Sequence, residues 1–112
     1  MAITDHDLSV ANELKNRLLA MDTDQRICKV ILYGSRAQGT AGSDSDFDML
    51  VVEEDPVVKR DEMHRFRREI SPLTYELDIW VMGNREFEET KEIVGGLAFP
   101  AHKYGQVLYE IA

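Results

Sequence analysis

Ten residues after a Gly34-Ser35 pair, two aspartates at alternate positions, Asp46 and Asp48, open the apolar run Phe47 to Val52. Residues i and i+2 of a strand point to one face, so the two carboxylates are expected to project side by side. Carboxylates held that close repel unless a cation or a proton lies between them. Oxygen ligands of this kind suit a hard divalent ion, Mg²⁺ or Mn²⁺, which keeps some water and takes its remaining ligands from phosphates. A third carboxylate, Asp78, lies within the apolar stretch YELDIWVM, where an unpaired charge is costly. A metal shared with Asp46 and Asp48 would partner it, and so would one of the arginines between Arg60 and Arg68. Three carboxylates on neighbouring strands can serve an in-line displacement at phosphorus. Gly34 permits close backbone approach and the Ser35 hydroxyl can donate to a phosphate oxygen.

These residues need strands and helices to place them. Leu8, Ala11, Leu14, Leu18 and Met21 recur at three- and four-residue steps, predicting an amphipathic helix with Asp5 or Asp7 as its cap. Ile27 to Tyr33 is a short apolar run rich in β-branched residues, a strand buried on both faces. Gly34-Ser35 stops it, and Arg36 to Gln38 begin a short helix. Phe47 to Val52 is the second strand, and Val57 to Ile70 a helix ended by Ser71-Pro72. Tyr75 to Met82 is the third strand, with Leu77, Ile79 and Val81 on one face and Asp78, Trp80 and Met82 on the other. Asn84 is placed to cap a helix running to about Ile93, with Gly95-Gly96 and Pro100 closing that segment. Val107-Leu108-Tyr109 forms a last short element. The pattern is α/β or α+β, helices around a small sheet, with strand order and direction unreadable from spacing.

At 112 residues the chain reads as one domain, 1–112. Its formal net charge of −8 disfavours general attraction to a nucleic-acid backbone. No apolar run approaches the length of a membrane span, and the N-terminus lacks a signal-peptide pattern. With Cys28 as the only cysteine, a reducing, cytoplasmic setting is expected, and Cys28 reads as a small core residue. The basic run from Lys59 to Arg68 reads as a solvated helix face balanced by Asp61, Glu62 and Glu69.

Competing motifs fail on spacing. Asp44, Asp46 and Asp48 imitate the opening of a calcium-binding loop, but its sixth and twelfth positions are Met49 and Asp55 rather than glycine and glutamate. GSRAQG lacks the Gly-Lys-Ser/Thr ending of a P-loop. His6, His64 and His102 share no metal-ligand spacing. Trp80, on the predicted face of Asp78, reads first as a packing aromatic and second as a surface for a base.

Gly34-Ser35, ten residues, then Asp46-Phe47-Asp48 resembles the GSX10DXD signature of the DNA polymerase β-like nucleotidyltransferase superfamily. GSRAQG with SDSDFDMLV is especially similar to its minimal nucleotidyltransferase domains. Asp78 in ELDIWV matches the family's third carboxylate, and GQVLYE resembles its closing tail. The resemblance implies that Asp46, Asp48 and Asp78 ligate Mg²⁺ or Mn²⁺, with Asp78 also helping to activate the acceptor hydroxyl. It implies that Gly34 and Ser35 hold the β- and γ-phosphates of ATP, and that Arg36 helps neutralise them. Stand-alone members of this size are similar to the antitoxin half of toxin–antitoxin pairs whose partner is a helical HEPN-type toxin. In some pairs AMP passes from ATP to a toxin tyrosine. The resemblance leaves two other readings open: a binding module that neutralises the toxin by contact alone, and transfer to a small molecule or RNA, for which an oligomer could build the acceptor site.

Overall fold

The computed structural model describes residues 3–42, 44–70 and 76–111. Helix α1, Asp5–Ala20, buries Asp7, Ala11, Leu14 and Leu18 along one stripe. Its cap is Thr4, whose hydroxyl oxygen accepts from the Asp7 amide at 3.1 Å, rather than the expected Asp5 or Asp7. The Asp22 carboxylate then accepts from the amides of Arg26 and Ile27, both at 2.9 Å, and turns the chain into the sheet.

Strand β1, Ile27–Tyr33, pairs antiparallel with β2, Phe47–Glu53. Helix α2, Gly34–Gln38, lies between them in sequence. Helix α3, Lys59–Glu69, crosses to β3, Leu77–Gly83, which pairs parallel with β2. A parallel pair needs such a crossover. Helices α4, Asn84–Thr90, and α5, Ala98–Tyr104, lead to β4, Gln106–Glu110, antiparallel to β1. The sheet order is β3-β2-β1-β4, a mixed sheet flanked by helices; the sequence pattern predicts the small sheet and its helices, and the pairing supplies the strand directions. The turn expected at Ser71-Pro72 and the strand start expected at Tyr75 lie outside the described residues.

Alternation along the strands divides the core into two layers. On one face Val30, Leu32, Phe47, Met49, Val51, Ile79 and Val81 pack with the α1 stripe and with Phe66, the buried residue of α3. On the other, Ile31, Leu50, Val52 and Met82 pack with Phe87, Ala98 and Ala101 of α4 and α5. No helix among the described residues is long and apolar enough to cross a membrane.

Two local readings change. Pro100 sits within the first turn of α5 rather than closing a segment, because an amide there has no intrahelical acceptor to lose. Asn84 is the first residue of α4 and makes no side-chain cap. The cap comes from Asp55 in the loop after β2, whose Oδ2 accepts from the Arg85 amide at 2.8 Å. That approach is so close that a Cβ on Gly83 would lie 2.2 Å from Asp55 Oδ1. Cys28 is half-buried in β1, and burial together with nearby Glu54 and Asp55 pushes its thiol up, which keeps it protonated.

One charged residue is out of keeping with this core. Glu53, the last residue of β2, is 0 % exposed, and neither carboxyl oxygen has a conventional hydrogen-bond partner. Burial and the facing Glu62 carboxylate push its pKa up to about 8. The unfolded chain ionises Glu53 near 4.5 while the folded chain keeps the proton until about 8, so between these values the native state binds more protons. Stability therefore falls as pH rises through that window. Glu62, held below its ordinary value chiefly by Arg65, acts at lower pH, where its stabilisation is lost. Thermal melts are expected to decline from pH 5 to 8 in the wild type and to stay flat in Glu53→Gln, which keeps the shape and the proton-like donor; equal slopes would refute the assignment.

Candidate functional site

The site is built where β1 ends and β2 and β3 begin. Parallel register sets Asp48 directly beside Asp78, and antiparallel register sets Tyr33, the last residue of β1, on the other side of Asp48. All three belong to the sheet face that α4 and α5 cover further along, as the alternation with Leu50 and Met82 requires. Asp46 precedes β2 and is exposed, so it reaches the carboxylate pair from the loop rather than from a strand. Phe47 anchors that junction, its amide donating to Glu76 O at 2.9 Å.

The electrostatics follow from this crowding. Burial, then the charges of Asp78 and Asp46, push the Asp48 carboxyl above its ordinary range. Burial, then Asp48 and Asp78, push the Tyr33 phenol well above its ordinary value. Both shifts arise first from burial and then from neighbouring carboxylates, whose oxygens are a donor set that a hard divalent ion fits. Among the described residues, however, no group of three His, Cys, Asp or Glu side chains is already gathered in ligating geometry. Asp48 and Asp78 form the fixed pair, and Asp46 stands on the adjoining loop.

Asp78 has two protein partners. The Trp80 indole N–H donates to its Oδ2 at 2.9 Å, and the Arg67 guanidinium lies 3.6 Å from its Oδ1. Arg67 is itself tied by a 2.8 Å hydrogen bond to Ile79 O, and its Cζ stands 5.7 Å from the centre of the Trp80 ring. The arginine partner foreseen for Asp78 is thus present, but long and solvent-exposed, so it is worth little by itself. Trp80 remains 42 % exposed beside the carboxylates. An aromatic that is both hydrogen-bonded to a site carboxylate and open to solvent is more than a packing residue.

Gly34 has φ 76°, a left-handed conformation that glycine adopts without a Cβ penalty. A Cβ there would lie 2.3 Å from Asp48 Oδ2, so the turn and the carboxylate touch. Ser35 follows, half-buried in α2, its carbonyl accepting from Thr40 N at 3.0 Å as Gly39 ends the helix with φ 74°.

Arg36 is placed differently from a phosphate-neutralising group. It is 6 % exposed; its Nη1 donates to Asp7 Oδ1 at 2.8 Å, and its Nε and Nη2 donate to Ser45 O at 3.1 and 2.9 Å. Its Cζ lies 4.4 Å from the centre of the Phe47 ring. The guanidinium braces the loop that carries Asp46 against α1, and Asp7 is its counter-charge rather than a helix cap. Ser45 Oγ tightens the same loop by accepting from the Gly42 amide at 3.1 Å.

Sequence reasoning did not single out Tyr33 or the Arg36–Asp7 pair, and it placed the arginine partner of Asp78 only between Arg60 and Arg68. Tyr33 carried a usable signal, since it ends an apolar run directly before Gly34. Asp7 carried none, because only the fold brings α1 to α2.

Comparison with known proteins extends this geometry. A crystal structure of a Sulfolobus solfataricus protein provisionally described as a nucleotidyltransferase superposes with a TM-score of 0.65 at 17% identity, covering 94% of this chain and 81% of that one. A mutant of the toxin–antitoxin complex MntA-HpeT superposes with a TM-score of 0.51 at 16% identity, covering 90% of this chain and 73% of that one. At these identities the likeness is one of fold. No match is found among curated proteins. Residues 11–104 match the model of the nucleotidyltransferase domain, a span that includes every carboxylate of the site and the turn at Gly34, and the chain belongs to that family.

Proposed function

We propose that the chain transfers AMP from ATP to a hydroxyl, the acceptor being a tyrosine of a helical HEPN-type partner protein in the cytoplasm, and that it is the antitoxin of such a pair. The observation that carries this reading is the pairing of Asp48 with Asp78 in register, in contact with the Gly34 turn. Nucleotidyltransferase membership supports the class of chemistry. The MntA-HpeT neighbour supports the partner class, and in that mutant two aspartates at alternate positions are replaced by glutamate, the spacing of Asp46 and Asp48 here.

In this proposal Gly34 and Ser35 hold the β- and γ-phosphates, leaving the α-phosphorus over Asp48. Asp46, Asp48 and Asp78 would hold Mg²⁺ or Mn²⁺, which supplies charge neutralisation and a lowered pKa for the acceptor hydroxyl when bound. The acceptor oxygen forms a bond to the α-phosphorus, the bond to the bridging oxygen breaks, and pyrophosphate leaves. Asp78, aimed by Trp80, takes up the acceptor's proton. Arg36 holds the loop that presents Asp46. Tyr33, half-buried, walls the site on the β1 side beside Asp48.

Incubation of the chain with α-labelled ATP, Mg²⁺ and a helical partner encoded beside it is expected to label the partner and raise its mass by one AMP unit. Paired Asp46→Ala and Asp48→Ala changes are expected to abolish labelling. Transfer by that double variant at the wild-type rate would overturn the catalytic reading, and neutralisation of the partner without labelling would establish the contact-only alternative.

Gly34→Ala is expected to fold yet lose about a hundredfold in transfer rate, because the added methyl displaces Asp48 by an ångström or more. Rates within a few-fold of wild type would show that the turn does not position the carboxylate. Trp80 is the only tryptophan, so its fluorescence reports on Asp78 directly. Mn²⁺ is expected to quench it saturably in the wild type and only weakly in Asp78→Asn.

A further inference from the structure

Glu53 lies at the opposite end of β2 from Asp48, five residues on, which at ~3.3 Å per residue is roughly 16 Å away. The nucleotidyltransferase chemistry proposed above does not use it. It forms part of the lining of a cleft of about 520 Å³ between the end of α1, the loop after β2 and the start of α3. Five carboxyl groups and two guanidiniums line this cleft.

Both guanidiniums are already engaged, Arg65 with the cleft's own Glu62 and Arg26 with backbone carbonyls. Arg65 forks onto Glu62, its Nε and Nη2 donating at 2.9 and 3.2 Å, while its Nη1 donates to Met21 O at 3.0 Å. Arg26 donates to the carbonyls of Glu54 and Pro56. Asp22 is occupied as acceptor for the amides of Arg26 and Ile27. Glu53 is left fully buried, with no hydrogen-bond donor on either oxygen, facing the Glu62 carboxylate. Its raised pKa means that a proton holds the pair together in the absence of a better cation. Asp24 and Asp61 stand exposed at the rim, and Met21, Pro56 and Val58 supply apolar wall.

We propose that this cleft binds an alkylammonium group, whose charged head replaces the proton between Glu53 and Glu62 and whose methylene stem lies along Met21, Pro56 and Val58. An ammonium offers three donors where Glu53 has none, and its stem suits the apolar wall. Rim charges on Asp24 and Asp61 draw the cation in. The displaced proton passes from the Glu53 carboxyl to the buffer. The group is either a free aliphatic amine or the lysine side chain of a protein that docks here.

Titration calorimetry of the full chain near neutral pH tests this with two probes, 1,4-diaminobutane and Nα-acetyl-lysine amide. Saturable binding is expected, with proton release seen as a difference in apparent enthalpy between phosphate and Tris buffers. Binding of the diamine alone assigns the site to free amines; binding of both assigns it to a lysine side chain as well. Glu53→Gln is expected to weaken binding by at least about tenfold and to abolish proton release. Asp24→Asn with Asp61→Asn, both at the exposed rim, is expected to weaken it without touching the fold. No saturable binding of either probe, binding without proton release, or wild-type affinity in either variant would overturn the proposal. AMP transfer is measured in parallel, so failure of the amine site and failure of the nucleotidyl site are read separately.

Discussion

The parallel pairing of β2 with β3 is the constraint on which the rest of the molecule depends. It fixes which face Asp78 occupies and how far along that face it lies. A slip of one residue would send Asp78 into the layer with Phe66 and bring Leu77 or Ile79 to the site, reversing the burial of the whole strand. The apolar layers on both sides oppose that slip, because Ile79 and Val81 belong to one and Met82 to the other. The hydrophobic effect thus holds two like charges side by side. Burial and their repulsion are the cost, and together they raise the pKa of Asp48.

The two ends of β2 resolve buried negative charge differently. At its start, Asp48 and Asp78 are open to solvent on one side, and neighbouring donors, Trp80 and Arg67, reach only Asp78. At its end, Glu53 is buried against a half-buried Glu62 that Arg65 holds, and a proton on Glu53 relieves the repulsion. The first arrangement leaves a carboxylate exposed to incoming groups. The second couples protonation to folding, since the unfolded chain has no reason to keep that proton.

Much of this was legible in the sequence, and the limits have physical causes. Ile27 to Tyr33 read correctly because it is a short apolar run rich in β-branched residues, broken only by Lys29. Gly34 read correctly as a stop because its φ is one that other residues resist. Helix α5 was missed because Pro100 was taken as a breaker, and proline in a first turn breaks nothing. The Asn84 cap failed for a subtler reason. A helix amide needs an acceptor but not a local one, and Asp55, thirty residues back, was already in place. Of the site residues, strand periodicity sets the face of Asp48 and of Asp78, which is a local property, whereas their meeting depends on the parallel register of β2 with β3 and Asp46 stands on the loop before β2. Arg36 turns inward because its choice of partner is decided by where α1 packs, which no spacing within GSRAQG encodes.

That inward turn alters how position 36 is to be read in any chain of this kind. The guanidinium meets one carboxylate and one carbonyl through three separate N–H groups, a fork that lysine cannot reproduce. Its partner in this fold is position 7. Substitutions at the two positions should be tolerated together and resisted singly. An arginine found here without an acid on the first helix would be a different device, able to swing outward to an anion, although the letters of the motif around it were unchanged.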